Sequence, residues 1–269
     1  MAAGNSTNIP ENEGADDRLT LIAIAVLACI LGDVLHEGLG HGVTALLGGA
    51  HRLTISTVAL QSDIGTRWIS ANGTLVNLFF GGVFWLLLRR AQNYAAATRY
   101  FLVIALAGNL FSSTGYFFYS GISNFGDWAA VIQGWQPHWA WRVGLFVLGV
   151  ATYWASMIVA AKEMKRFSGI AGGRTRRLCW TPYFTDGVLA GLAGLFNPLG
   201  WIYVLLSALP STRGANTGLL FLPGMMRGIR GGETAGAGVV KRSPAWIVAG
   251  AIAGVLFIVV LGRGLTWTR

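Results

Sequence analysis

Six long apolar runs constrain this chain more than any other feature of its sequence. Each approaches or exceeds the ~20 residues that a helix needs to cross the apolar core of a bilayer. A chain of 269 residues could hold one or two soluble domains, but 54% hydrophobic and 12% charged residues do not describe a soluble surface. The sequence therefore predicts an all-α, multi-pass integral membrane protein with about six transmembrane helices. The runs lie near residues 19–47, 69–88, 100–120, 139–161, 184–209 and 244–262.

The charge of the chain fits a membrane protein better than a nucleic-acid-binding one. The formal net charge is +9, but the Lys and Arg residues lie mostly in the loops between the apolar runs. Loop cations of this kind match membrane topology and lipid headgroups. We therefore expect membrane lipids as partners and no nucleic acid. Cys29 and Cys179 are too few and too far apart for a disulfide framework or a thiolate metal site.

Two imidazoles and a carboxylate lie inside the first apolar run, at His36, Glu37 and His41. Ionisable groups at membrane depth cost at least ~2.5 kcal/mol each, so they persist mainly where they are partnered and functional. In zinc hydrolases a His-Glu pair followed by a second His supplies two metal ligands and a base that activates water. The segment therefore makes His36 and His41 candidate ligands and Glu37 a candidate general base.

The spacing of the two histidines is unusual for a metal site on a helix. His36 and His41 are five residues apart, which separates them by about 140° on a regular α-helix. One extra residue in a π-bulge would bring both onto one face, and such bulges gather at functional sites. The alternative is that the helix ends near Gly38 and His41 begins a second segment.

Three further polar residues lie in apolar surroundings, namely Asn72, Asn77 and Asp127. A buried amide needs hydrogen-bond partners, so Asn72 and Asn77 either support a site or join neighbouring helices. Asp127 follows the third apolar run in a glycine-containing turn, where it either binds a metal or caps the helix that starts at Trp128. Between the first two runs, the β-branched stretch from His51 to Asp63 predicts a short strand or hairpin, or else an interfacial loop.

These features together resemble the site-2 protease family of intramembrane zinc metalloproteases. The resemblance covers roughly residues 20–130 and is carried by His36-Glu37 with His41, by the segment Gly73-Thr74-Leu75-Val76-Asn77, and by Asp127. It implies that His36, His41 and Asp127 hold Zn²⁺, that Glu37 is the general base, and that Asn77 supports the site or the substrate. It also implies that the strand near residues 53–60 receives an extended substrate by strand addition.

The expected organisation has three parts: a disordered polar N-terminus over residues 1–18, a three-helix metalloprotease-like core over 19–135, and three further membrane segments with basic loops over 136–269. Asn197-Pro198 is expected to break the fifth membrane segment, because proline lacks an amide hydrogen. We expect the protein to lie in the cell (inner) membrane.

The expected function is hydrolysis of peptide bonds in membrane-embedded proteins or peptides. Two alternatives stay open. One is a non-proteolytic accessory or assembly subunit of a membrane complex, which the altered histidine spacing and the eleven tryptophans favour. The other is a transporter, which a helix broken at mid-membrane depth favours.

Overall fold

A computed structural model of the chain describes residues 15–169, 172–197, 200, 214–229 and 238–269. Within them the fold is mostly helical, with one small antiparallel sheet. The helices are α1 (Arg18–Asp33), a π-helical segment (Val34–Gly42), α2 (Val43–Leu47), α3 (Arg67–Arg90), a short 3₁₀ turn (Ala91–Asn93), α4 (Ala96–Ser123), α5 (Asp127–Val131), α6 (His138–Ser168), α7 (Gly172–Gly194), α8 (Gly218–Gly228) and α9 (Pro244–Leu256), which continues as a second π-helical segment (Phe257–Leu261). The strands are β1 (Arg52–Ile55), β2 (Leu60–Ser62) and β3 (Leu265–Thr268).

Five helical segments of the described chain are long and apolar enough to cross a membrane. They match five of the six predicted runs, so a multi-pass helical architecture follows from the structure as it did from the sequence. The run predicted at 184–209 is only partly described: α7 ends at Gly194, a turn follows, and residues 198, 199 and 201–213 lie outside the described part. The predicted break at Asn197-Pro198 therefore lies partly outside the described residues, because Pro198 is not among them. The five segments are Arg18–Leu47, Arg67–Arg90, Ala96–Ser123, His138–Ser168 and Pro244–Leu261.

The first membrane helix begins where two neighbouring aspartates bind different partners. The Asp17 carboxylate accepts a hydrogen bond from the Thr20 amide at 2.9 Å, and bonds from the Thr20 hydroxyl and amide lower the pKa of Asp17. Asp16 is buried and accepts two bonds from the Arg174 guanidinium, at 2.7 and 3.0 Å. Of the N-terminal stretch expected to be disordered, residues 1–14 lie outside the described part, whereas Asp16 is held in place by this ion pair.

The main core surrounds α4, which packs against α1, α3 and α6. α4 carries small and aliphatic residues that are almost fully buried, together with the buried aromatic residues Tyr100 and Phe111. Tyr100 is completely buried and donates its hydroxyl to the Leu178 carbonyl at 2.8 Å, so the start of α4 is joined to α7. Because α4 lies at the centre, residues at its C-terminal end have a defined position relative to the π-helical segment after α1.

The predicted hairpin after the first helix is present and belongs to a larger sheet. β1 and β2 pair antiparallel, with Leu53 opposite Ser62 and Ile55 opposite Leu60. The strand order is β2-β1-β3, and β3 comes from residues after the last membrane helix, beyond any predicted element. The central position of β1 leaves the outer edge of β2 unpaired within the described chain.

Candidate metal centre

The two histidines lie on one face because the helix between them is not an α-helix. Val34–Gly42 forms a π-helical segment between α1 and α2. Its i→i+5 bonding brings every fifth residue back to nearly the same direction, which α-helical bonding would not do. Of the two alternatives that the sequence leaves open, a π-type departure from α geometry is present, and no helix end occurs near Gly38.

Three side chains from distant parts of the chain converge at this face. The His36 Nε2 atom lies 3.1 Å from Asp127 Oδ2 and 3.2 Å from His41 Nε2, and His41 Nε2 lies 3.3 Å from the same Oδ2. We call His36, His41 and Asp127 the cluster. Each offers one potential metal-ligand atom, and among the described residues these three atoms all lie within 4.8 Å of one another. The three atoms therefore form a nearly equilateral triangle.

The triangle has the dimensions of one face of a tetrahedral metal site. Bonds of ~2.0–2.1 Å at tetrahedral angles place neighbouring ligand atoms about 3.3 Å apart, and the observed edges are 3.1, 3.2 and 3.3 Å. Two imidazoles and one carboxylate with an open fourth position form a ligand set typical of catalytic zinc. These residues therefore fit a zinc ion, although imidazole and carboxylate ligands do not by themselves select zinc over other divalent metals.

A second set of contacts orients the imidazoles. His41 Nδ1 donates to the Ile69 carbonyl at 2.6 Å, since a carbonyl can only accept. That bond leaves the lone pair of a neutral His41 on Nε2, the atom that faces the cluster, as in most metal-binding histidines. The His36 ring stacks on Tyr116, with centroids 4.9 Å apart and planes 19° apart.

Asp127 reaches the histidines because the chain reverses after α4. Asn124 ends α4 in the left-handed conformation, and Gly126 has a φ of 85°, so α5 begins at Asp127 and packs on α3 and α4. The alternative of Asp127 as a helix cap is wrong: Gly126 holds the capping position, and no side chain caps α5. Burial raises the pKa of the Asp127 carboxyl, but His41 and His36 outweigh it and hold that pKa well below its usual range.

Glu37 lies beside the cluster without joining it. It shares a cavity of about 140 Å³ with His41 and Asp127. Its carboxylate faces the backbone N–H of Leu60 at the start of β2, and its Oε2 atom has no hydrogen-bond partner among the described residues. Since one water molecule occupies ~30 Å³, the cavity is large enough for several waters next to this carboxylate.

The two asparagines differ in position. Asn77 is 1% exposed and donates to the Gly32 carbonyl at 3.4 Å, while its Oδ1 has no partner within the described chain. Asn72 is half-buried on α3, and its backbone oxygen approaches Gly40. Asn77 lines a cavity next to His36 and Glu37, whereas Asn72 lines neither that cavity nor the one beside Asp127.

Sequence reasoning missed the residue that leaves room for the site. A Cβ atom on Gly73 would lie 2.4 Å from His41 Nε2 and 2.8 Å from His36 Nε2. Gly40 in turn permits close packing of the π-helical segment on α3, because a Cβ on Gly40 would lie 2.5 Å from the Gly73 Cα. The signal was present in the sequence, since Gly73 opens the segment that contains Asn77, but its steric role depends on contacts between distant residues.

Comparison of the chain with family models, with curated proteins and with solved structures finds no match.

Proposed function

We propose that this protein is an intramembrane zinc metalloprotease of the cell (inner) membrane. The observation that carries the proposal is the triangle of His36 Nε2, His41 Nε2 and Asp127 Oδ2, which has the size of a tetrahedral face. Its two histidines lie in a helical segment long enough to cross a bilayer. Ionisable residues inside a membrane segment are by default candidates for a functional site rather than for a purely structural role. The resemblance to site-2 proteases assigns the same residues.

Each residue of the site has a separate role in the proposed reaction. His36, His41 and Asp127 would hold the ion, which when bound supplies a Lewis acid that lowers the pKa of a water molecule towards ~7. The Glu37 carboxylate accepts a proton from water in the shared cavity, for which its unpartnered Oε2 atom is available. The Ile69 carbonyl keeps His41 in the tautomer that a ligand needs.

The sheet suggests how a peptide would reach Glu37. The outer edge of β2 is unpaired in the described chain, and its first residue, Leu60, lines the cavity that contains Glu37. A substrate strand added to this edge would present its carbonyls beside the site while satisfying its own backbone groups. The other side of β1 is already occupied by β3, so addition there would require β3 to leave.

An apolar cavity next to the cluster fits a membrane-embedded substrate. It measures about 500 Å³ and lies between α4, α6 and α8, with Tyr116, Phe118, Trp154 and Phe221 among its walls. Tyr116 also stacks on His36, so this cavity is one side chain away from the proposed ligands. Large apolar side chains of a substrate would gain burial there at about 25 cal/mol per Å².

The proposed function predicts that Glu37→Gln abolishes cleavage and leaves the metal in place, because Glu37 activates water without binding the ion. Membranes from cells that express the wild-type or the Glu37→Gln protein are compared for new protein N-termini by quantitative mass spectrometry. We expect termini inside membrane segments that appear only with the wild type. Identical sets of termini, with metal present in both proteins, would contradict proteolysis and favour an accessory subunit that retains the metal.

A further inference from the structure

One end of the helix bundle collects the termini of seven helices. α1, α4, α7 and α9 begin there, whereas α3, α6 and α8 end there, and we call it the basic end. Arg174 at the start of α7 binds Asp16, just before α1, at 2.7 Å. Lys165 near the end of α6 donates to the Ile229 carbonyl, just after α8, at 2.5 Å. These contacts hold the termini of helices from both halves of the chain together.

The opposite end of the bundle carries the sheet, and we call it the sheet end. α3 and α6 begin there, and α4 ends there. Arg142 near the start of α6 donates to the Gly121 carbonyl near the end of α4 at 3.1 Å. The pairing of β3 with β1 places the residues after the last membrane helix at this end as well. The two ends are therefore defined by contacts as well as by the order of the helices.

The basic residues divide unequally between the two ends. Among the described residues, thirteen Lys and Arg lie at the basic end and five at the sheet end. Side chains that are exposed show the same bias, with eight at the basic end and four at the sheet end. In multi-pass membrane proteins an excess of Lys and Arg marks the cytoplasmic side and sets the orientation. The basic-end residues are Arg18, Arg89, Arg90, Arg99, Lys162, Lys165, Arg166, Arg174, Arg176, Arg177, Arg227, Lys241 and Arg242, and the sheet-end residues are Arg52, Arg67, Arg142, Arg263 and Arg269.

The candidate metal centre lies towards the sheet end. His36 is in the second half of the membrane segment Arg18–Leu47, about 27 Å along the helix from its start. Asp127 follows the turn that ends α4. The cavity that contains Glu37 and Asp127 is lined by residues of β2 and of the first turn of α3. Because the apolar core of a bilayer is ~30 Å thick, the cluster lies in the half of the membrane nearer the sheet end.

We propose that the basic end faces the cytoplasm and that the candidate metal centre opens to the opposite, non-cytoplasmic side of the membrane. Water and metal then reach the cluster from that side. The substrates are membrane proteins whose scissile bond lies in the non-cytoplasmic half of a membrane segment. This last statement rests on the proposed protease function, whereas the orientation depends only on the positions of the helices and the cations.

The test of orientation labels single cysteines in cells that express the full chain. Cys29 and Cys179 are replaced by alanine, and that parent protein is the blank. Gly65→Cys at the sheet end and Gly173→Cys at the basic end are a matched pair, since both positions are exposed and an added Cβ meets nothing within 4 Å at either. A maleimide that does not cross the membrane should label Gly65→Cys in intact cells, and Gly173→Cys only after the membrane is permeabilised.

Two further variants repeat the measurement at other positions. Gln61→Cys on β2 and Asn93→Cys between α3 and α4 are also exposed and replace any cysteine that is not labelled in permeabilised cells. Labelling of the basic-end cysteines in intact cells would overturn the proposed orientation. So would sheet-end cysteines that are labelled only after permeabilisation. Neither result depends on metal binding or on cleavage, so a failure of the orientation is separate from a failure of the proposed function.

The positions of cleavage test the statement about substrates. Protein N-termini that appear with the wild type and not with Glu37→Gln should fall in the non-cytoplasmic half of the membrane segments that are cut. Termini in the cytoplasmic half would overturn this statement even if the labelling gives the expected orientation. If no termini differ between the two proteins, the proposed function fails, the statement about substrates fails with it, and the labelling still decides the orientation.

Discussion

At the scale of single residues, the candidate metal centre depends as much on what is absent as on its ligands. His36 and His41 occupy the space that a side chain at position 73 would need. The Cβ of any residue other than glycine there would lie 2.4 Å from His41 Nε2. Real Cβ atoms do not approach other atoms so closely, so one of the groups must move. Gly73 is therefore a positioning residue for the proposed ligands.

The substitution Gly73→Ala should accordingly displace both imidazoles and lower metal content several-fold while the protein still inserts. A one-ångström displacement of a site is enough to lose most of its function. Metal per chain is measured on purified protein, with Gly82→Ala as the control on the same helix, because a Cβ there meets nothing within 4 Å. Full metal retention in Gly73→Ala would show that the imidazoles are not ligands in this arrangement.

At the scale of secondary-structure elements, glycines decide which helices approach closely. Gly149 on α6 lies against α4, where an added Cβ would lie 2.3 Å from the Phe118 backbone nitrogen. Gly144 lies on the same helix, and an added Cβ there meets nothing within 4 Å. Small residues at such contacts let membrane helices pack through their backbones.

These two glycines should respond in opposite directions to the same substitution. Gly149→Ala is expected to destabilise the protein by about 1–3 kcal/mol, since backbone atoms must move to admit the methyl group. Gly144→Ala is expected to be neutral or to stabilise by up to about 1 kcal/mol, because alanine favours a helix. Unfolding in detergent measures both, and equal effects would mean that α4 and α6 do not pack as described.

The membrane helices and most residues of the candidate metal centre could be predicted from the sequence. The membrane helices follow from their apolar runs, and His36, Glu37 and His41 are conspicuous because charged groups are rare at that depth. Asp127 was identifiable as an isolated carboxylate in an aromatic turn. The π-helical segment was predictable only as one of two alternatives, because local sequence does not say how the four residues between the two histidines are accommodated.

The remaining parts depend on contacts between distant residues, which periodicity does not reveal. Pairing of β1 with β3 joins residues more than 200 positions apart, such as Arg52 and Thr268. The packing of α3 against the π-helical segment places the Ile69 carbonyl beside His41. The sequence does not reveal this contact, because every residue of α3 offers a backbone carbonyl.

At the scale of the whole molecule, one buried ion pair joins three distant parts of the chain. Arg174 on α7 makes two hydrogen bonds to Asp16 before α1 and a third, at 2.9 Å, to the Gly238 carbonyl. Asp16 also accepts a bond from the Val240 amide at 2.9 Å. The start of the first membrane helix is thereby tied to the segment that precedes the last one.

Removing one partner of this pair should destabilise the whole bundle. Asp16→Ala leaves Arg174 without its carboxylate, and breaking a buried pair typically costs 3–5 kcal/mol. Because the Arg174 side chain is 19% exposed, we expect a smaller loss of about 2 kcal/mol. Arg176→Ala is the control, since Arg176 is exposed on the same helix. A thermal melt of both variants checks this, and equal stability would contradict the role of the pair.

The most direct test of the account is the metal content of the purified protein. Mass-spectrometric elemental analysis compares the wild type with His36→Ala/His41→Ala, with Asp127→Ala, and with His51→Ala, whose imidazole is exposed and outside the cluster. We predict about one zinc per chain in the wild type and in His51→Ala, and its loss from the double variant and from Asp127→Ala. Stoichiometric metal in the double variant, or none in the wild type after zinc is supplied, would contradict a metal centre at His36, His41 and Asp127.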